Sequence, residues 1–335
     1  MSVETPHPRD VFALEGAEGP EAAFLDALGR GRLHHAWLLV GPEGVGKATF
    51  AYRAARRLLG ARPDPAYGVL GASPEDPISR QVSARSHPDL LVLERETYDG
   101  KSRRNIPVDE ARKLPEFFSK APASAPYRVA IIDAADDMNN NAANAVLKTL
   151  EEPPPRGVVF LVSHAPGRLL PTVRSRCRRL AFRGWDLEAC AGWVTQRSGV
   201  GAEDARRLAR MARGAPGRAL QLAGSGAVDA DRSARDLLRA LPSIDEAQLL
   251  SMAESFRGAE GQARFELLFE RLADHIRLMA EETAEDAPAG SLDRWAEAWE
   301  FLVRLPGEAE AVNLDRADAF WTAIGRLREA ARAPC

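Results

Sequence analysis

The sequence predicts an α/β fold, a parallel sheet covered on both faces, followed by a purely helical C-terminal part. Three observations carry that prediction. Apolar runs that are continuous rather than two-periodic alternate with stretches of helical spacing as far as Phe182, the pattern of parallel strands buried on both sides. A glycine-rich loop, "GPEGVGKAT" (41–49), joins the first run to the first long helix. After Phe182 the strand pattern stops and only helical spacing remains.

The elements follow in order. "AWLLV" (36–40) leads into the loop, and "KATFAYRAARRLL" then sets Phe50, Ala51, Ala54, Ala55, Leu58 and Leu59 at helical spacing. "GARPDPAYGVLGASPEDPISRQVSARS", rich in Gly, Pro and Ser and poor in period, reads as a surface excursion. "DLLVL" (89–93) is the next strand, and "PVDEARKLPEFFSK" opens with Pro107, Asp109 and Glu110, which suit a helix start. "YRVAIID" (127–133), a helix through "NAANAVLKTLEE", "VVFLVS" (158–163) and "RRLAF" (178–182) continue the alternation. A short helical section then breaks at "GAPGRALQLAGSG". Beyond it Phe265, Leu268, Phe269, Leu272, Ile276 and Met279 share one helical face, as do Trp295, Trp299 and Leu302 before a stop at Pro306, and Ala317, Phe320, Trp321, Ile324 and Leu327. These stripes read as the core of a helical bundle. The expected domains are 1–183 (α/β), 184–226 (small helical) and 227–335 (helical).

A chain of 335 residues exceeds one ordinary compact core. With 45% hydrophobic and 28% charged residues it reads as a globular protein. No run is long and apolar enough to cross a bilayer, and "MSVETPHPRDVF" lacks the basic start and apolar stretch of a secretion signal, so a cytoplasmic location is expected. Cys177, Cys190 and Cys335 are scattered, with no CxxC pair, which excludes a disulfide framework or a cysteine zinc site. The net charge of -3 gives no global attraction to nucleic acid, so any DNA contact must be local or made through an assembly. Only five of the 45 basic residues are lysines, one of them Lys47 in the loop.

The loop is built for phosphate. Gly41, Gly44 and Gly46 let backbone N–H groups close around phosphate oxygens, the following helix points its positive end at them, and Lys47 adds a point charge. The pattern G-x-x-x-x-G-K-[ST] then wants a hydroxyl for Mg²⁺, and Ala48 stands there instead. Thr49 is one residue late, about 100° around the helix. Asp133 ends its strand where a second, acidic partner of the metal belongs. In hydrolysing relatives of this architecture a glutamate follows to activate water; here it is Ala134. These departures predict ATP or ADP bound without hydrolysis, with Mg²⁺ poorly held.

"GRLHHAWLLVGPEGVGKAT", "NAVLKTLEEPP" and "VVFLVSHAPGRLLPTVRSRCRRLAF" together resemble the clamp-loader subunits of bacterial DNA polymerase III, of the AAA+ class. The resemblance covers about the first 220 residues. It implies an AAA+ RecA-like α/β domain, a small helical lid and a C-terminal helical collar. Alanines at both hydrolytic positions resemble the non-motor, stator-like member of that family rather than its ATP-hydrolysing motor. In the "SRC" motif, the resemblance makes Arg176 an arginine finger presented in trans to a neighbour's ATP. It puts Ser163 at the sensor 1 position near the terminal phosphate and Arg218 in the sensor 2 region. The implied partners are the gamma/tau and delta subunits, the sliding clamp and, through the assembly, primer-template DNA. The excursion lacks the four cysteines that relatives often carry there, and with His34, His35 and His87 too few to rebuild a site, no zinc is expected. Three other readings stay open: an ATP-hydrolysing motor subunit, against which Ala48 and Ala134 speak; a P-loop small-molecule kinase, against which the long helical C-terminus speaks; and a nucleotide-independent scaffold in which Lys47 is vestigial, which nucleotide binding distinguishes.

Overall fold

The computed structural model describes residues 5–95, 97–98, 101–102, 105–283 and 292–332, so Cys335 lies outside the described residues. The chain divides into two compact units, residues 2–221 and 222–335.

The first unit runs α1 (Glu18–Gly29), β1 (Ala36–Val40), α2 (Lys47–Leu59), α3 (Pro77–Ser83), β2 (Leu90–Glu94), a small hairpin of β3 (Thr97–Tyr98) and β4 (Lys101–Ser102), α4 (Val108–Phe118), β5 (Arg128–Asp133), α5 (Asn140–Glu151), β6 (Gly157–Ser163), α6 (Pro171–Ser175), β7 (Arg178–Ala181), α7 (Leu187–Ser198), α8 (Ala202–Met211) and α9 (Pro216–Ala223). Five strands form one sheet in the order β2-β5-β6-β1-β7, all parallel. Continuous apolar strands are what such a sheet requires, because both faces are covered. On one face Leu38, Val40, Ile132 and Leu161 pack against Leu114 of α4 and Val146 and Leu150 of α5. On the other, Trp37 and Phe160 meet Phe24 of α1, and Phe50 of α2 packs against both Phe160 and Phe182.

The helix after the loop is buried nearly all round, not only on its apolar stripe. Arg53 and Arg56 are each 1% exposed. The chain before α1 causes this by lying along α2. Arg56 stacks over the Phe12 ring at 4.2 Å and donates to the Arg9 carbonyl. Arg53 donates to the Phe12 carbonyl, to the Tyr67 carbonyl at 2.8 Å, and to Glu21 at 2.9 Å. The Gly/Pro/Ser excursion is correspondingly not a bare surface loop: Asp76 caps α3 by accepting from Ile78 and Ser79, and Val82 is buried.

In the second unit α10 (Ala227–Ala240), α11 (Glu246–Ser255), α12 (Ala259–Thr283), α13 (Asp293–Ala311) and α14 (Arg316–Ala331) surround one apolar cluster. Phe265, Leu268, Phe269, Leu272 and Ile276 of α12 are all within 2% of full burial. Two expectations are corrected. Pro306 does not stop its helix; α13 continues to Ala311, because Leu305 and Ala309 on the same face are buried in the cluster and hold the turn. Trp299 and Trp321, expected inside, are 38% and 36% exposed. The α14 positions that face inward are Phe320, Ala323, Ile324 and Leu327, which leaves Trp321 about 100° off their line. Among the described residues no helix is long and apolar enough to cross a membrane.

Removing one partner of a buried ion pair strands the other charge, so Glu21→Ala is expected to destabilise the first unit by about 3–5 kcal/mol. Urea denaturation of wild type and variant checks this.

Candidate phosphate site

The site lies where sheets of this kind place ligands, at the carboxyl ends of the central strands. Val40 ends β1 beside Ser163 at the end of β6, and the loop turns back from there into α2. Two glycines are required by close approach as well as by dihedral. A Cβ on Gly41 (φ +151°) would lie 2.3 Å from the Phe182 carbonyl oxygen. A Cβ on Gly44 (φ +76°) would lie 2.2 Å from the Arg218 backbone nitrogen. Gly46 precedes α2 with φ 97°. The first turn of α9 therefore lies directly on the loop, and the Gly217 N–H donates to the Gly44 carbonyl at 2.9 Å.

Lys47 is 2% exposed. Its ammonium bridges the loop, donating to the carbonyls of Gly41 at 2.7 Å and Pro42 at 2.5 Å. An ammonium has three donors, so one remains for a further acceptor. Burial pulls Lys47 down to about 8, opposed by the charges of Asp133, Glu43 and Asp136. Asp133 is pushed up to about 6, by burial first and by Glu94 next, while Lys47 works the other way. Glu94 is Asp133's neighbour in the β2–β5 register and pairs with Arg85 and His7. Ala48, where a metal-binding hydroxyl belongs, is half-buried, and Thr49 is turned into the packing at 7% exposure. A loop-bound Mg²⁺ does not fit this donor set: position 48 has no oxygen and Thr49 faces inward.

Ser163, fully buried, donates to Asp136 at 2.8 Å. The backbone N–H groups of His164 and Ala165 donate to the same carboxylate, at 2.5 and 3.2 Å. Asp136 thus ties the end of β6 to the turn after β5. No motif in the sequence marks Asp136 or His164. Their one signal was polar residues just past two adjacent strand ends, and nothing local shows that the two ends meet. The structure therefore gathers Gly41, Gly44, Gly46, Lys47, Asp133 and Ser163, with the Arg218 backbone against the loop. Arg176 is anchored on other elements: it pairs with Glu151 of α5 at 2.9 Å and donates to the Thr172 carbonyl of α6 at 3.0 Å, with its side chain 36% exposed.

A carboxylate whose folded value is raised costs stability while it is charged. That cost is full above the folded value and vanishes as pH falls toward the unfolded one. Asp133→Asn is accordingly expected to stabilise the protein at neutral pH by about 1–3 kcal/mol. The gain should shrink as pH drops below about 6, a trend that denaturation curves across pH would show.

A family model described as "DNA polymerase III, delta subunit" matches residues 19–186. The delta' subunit of DNA polymerase III from Pseudomonas aeruginosa is 38% identical over 199 residues, 59% of this chain and 58% of the relative. The gamma/tau subunit from Mycobacterium tuberculosis is 30% identical over 318 residues, 86% of this chain and 53% of the relative. The Escherichia coli delta' subunit is 31% identical over 192 residues, 57% of this chain and 55% of the relative. The aligned part thus spans little more than half the length of these relatives. Among solved structures, a gamma subunit-related protein of Thermotoga maritima overlaps 92% of this chain and 100% of its own at 19% identity and a TM-score of 0.43, a loose overlap. The matched segment runs from α1 through the loop, the sheet and the "SRC" motif, the same residues that carried the resemblance in the sequence. The chain belongs to the DNA polymerase III delta-subunit family.

Proposed function

We propose that this protein is the non-motor, stator-like subunit of the DNA polymerase III clamp loader, bracing one side of its ring and lending Arg176 to a neighbour's ATP. One observation carries the reading: a site otherwise built for phosphate has alanine at both positions that hydrolysis needs, Ala48 at the end of the loop and Ala134 just past β5. Relatives named delta' and gamma/tau both match, and these two alanines favour the delta' role. Lys47 and the loop N–H groups can cradle the phosphates of ATP or ADP. Nothing at 134 activates water, and nothing at 48 holds a metal.

Arg176 suits work in trans. A guanidinium has five donors in a fixed fork that matches phosphate oxygens. Its present partner Glu151 is itself half-exposed, and such surface pairs contribute only about 0–1 kcal/mol. Exchange of that carboxylate for a neighbour's phosphate is therefore cheap. The partners on this reading are gamma/tau and delta subunits, the sliding clamp and primer-template DNA met through the assembly.

The isolated chain is expected to hydrolyse ATP at background, which a purified-protein assay measures; steady turnover would instead favour the motor reading. In the reconstituted loader with clamp and primed DNA, Arg176→Ala should cost the neighbouring site on the order of 10³ in rate, read as loss of that site's share of turnover with assembly intact. Unchanged turnover would take Arg176 out of the mechanism.

A further inference from the structure

His164 follows Ser163 at the end of the central strand β6, beside the residue that opens the loop. Its backbone N–H is fixed on Asp136. The ring nitrogen Nδ1 is buried and has no hydrogen-bond partner among the described residues. An unmade bond at a buried nitrogen is costly, so a ligand that supplies the missing partner is favoured there. The charged groups that act on the ring are Lys47 from α2, Glu43 from the loop, and Asp136 and Asp137 from the turn after β5. Burial and then Lys47 hold the imidazole below its ordinary value, and the three carboxylates pull the other way.

Among the groups that act on the ring, the one made for a ligand is the Lys47 ammonium, with its remaining donor. A phosphate seated on it brings negative charge to the same place, cancels the repulsion between ammonium and ring, and offers an acceptor. We infer that His164 completes the phosphate site: on binding a nucleoside di- or triphosphate the imidazole takes a proton from solvent and donates a hydrogen bond to the terminal phosphate. The inference rests on the reading of the loop as a nucleotide site. It adds a ligand that glycine-loop reasoning does not supply, and it makes affinity depend on pH. The bound state holds more protons than the free state, so affinity rises as pH falls. A rise of one unit in the ring's value on binding corresponds to up to about tenfold in affinity across the titration range.

The test follows the histidine ring resonances of the whole chain by NMR over about pH 5–8, with and without ATP or ADP. His164→Asn, whose amide keeps a nitrogen near Nδ1 but does not titrate, assigns the ring. Calorimetry in buffers of differing ionisation enthalpy counts protons for both proteins. The difference between them is the readout, since Lys47, Asp133 and the phosphate itself also exchange protons. The expected result is a ring value that rises when nucleotide binds, and fewer protons taken up by the variant. Nucleotide binding with the ring titration unchanged, or an identical proton count in the variant, overturns the role of His164 alone. No binding of either nucleotide by wild type at any pH overturns the nucleotide reading and this inference with it. The wild-type ring titration stands by itself should the variant fail to fold.

Discussion

The burial of one ammonium organises the functional end of the first unit. Lys47 is taken out of water at the start of α2, and a buried cation must be compensated by dipoles and opposite charge. The Gly41 and Pro42 carbonyls meet it directly, and Asp133, Glu43 and Asp136 supply the field. The loop's tight course and the crowding of carboxylates at the ends of β5 and β6 both follow. Asp136 also secures the end of β6, so the charge that offsets Lys47 and the hydrogen bonds that hold the neighbouring strand belong to the same side chain.

The rest of the first unit keeps α2 in place. A helix carrying the loop lysine has to be rigid, and this one is enclosed by the sheet on one side and the chain before α1 on the other. Arg53 and Arg56 make that enclosure possible: they satisfy carbonyls of a segment that is one short 3₁₀ turn (Pro8–Asp10) followed by irregular chain. Their long stems add apolar cover, and Arg56 stacks on Phe12.

The sheet was legible because buried parallel strands leave a signal that is local and continuous, and "AWLLV" and "VVFLVS" could hardly be anything else. The loop was legible for the same reason, its glycines and lysine being contiguous. What the sequence hid was set by contacts between distant segments. α3 is a single capped turn or two inside a Gly/Pro-rich stretch, too short to show a period. The burial of the α2 arginines has no local signal, because the chain that covers them lies more than thirty residues upstream. Trp299 and Trp321 fit their stripes by spacing alone, and the width of the cluster they skirt decided otherwise. Asp136 and His164 belong to the site only because β5 and β6 end side by side, a fact of register rather than of motif.

The meeting of Gly44 with Gly217 and Arg218 is made of main-chain atoms and the Arg218 Cβ, with no flexible part of a side chain between loop and helix to yield. Such a joint transmits displacement the way a rigid linkage does. A shift of a fraction of an ångström in the loop is passed to α9 undiminished, because the alternatives are overlap or a broken N–H···O bond. The geometry of the loop and the set of the helix are thereby one variable. Whatever fixes one fixes the other, and the coupling is indifferent to the chemistry of every side chain further along α9.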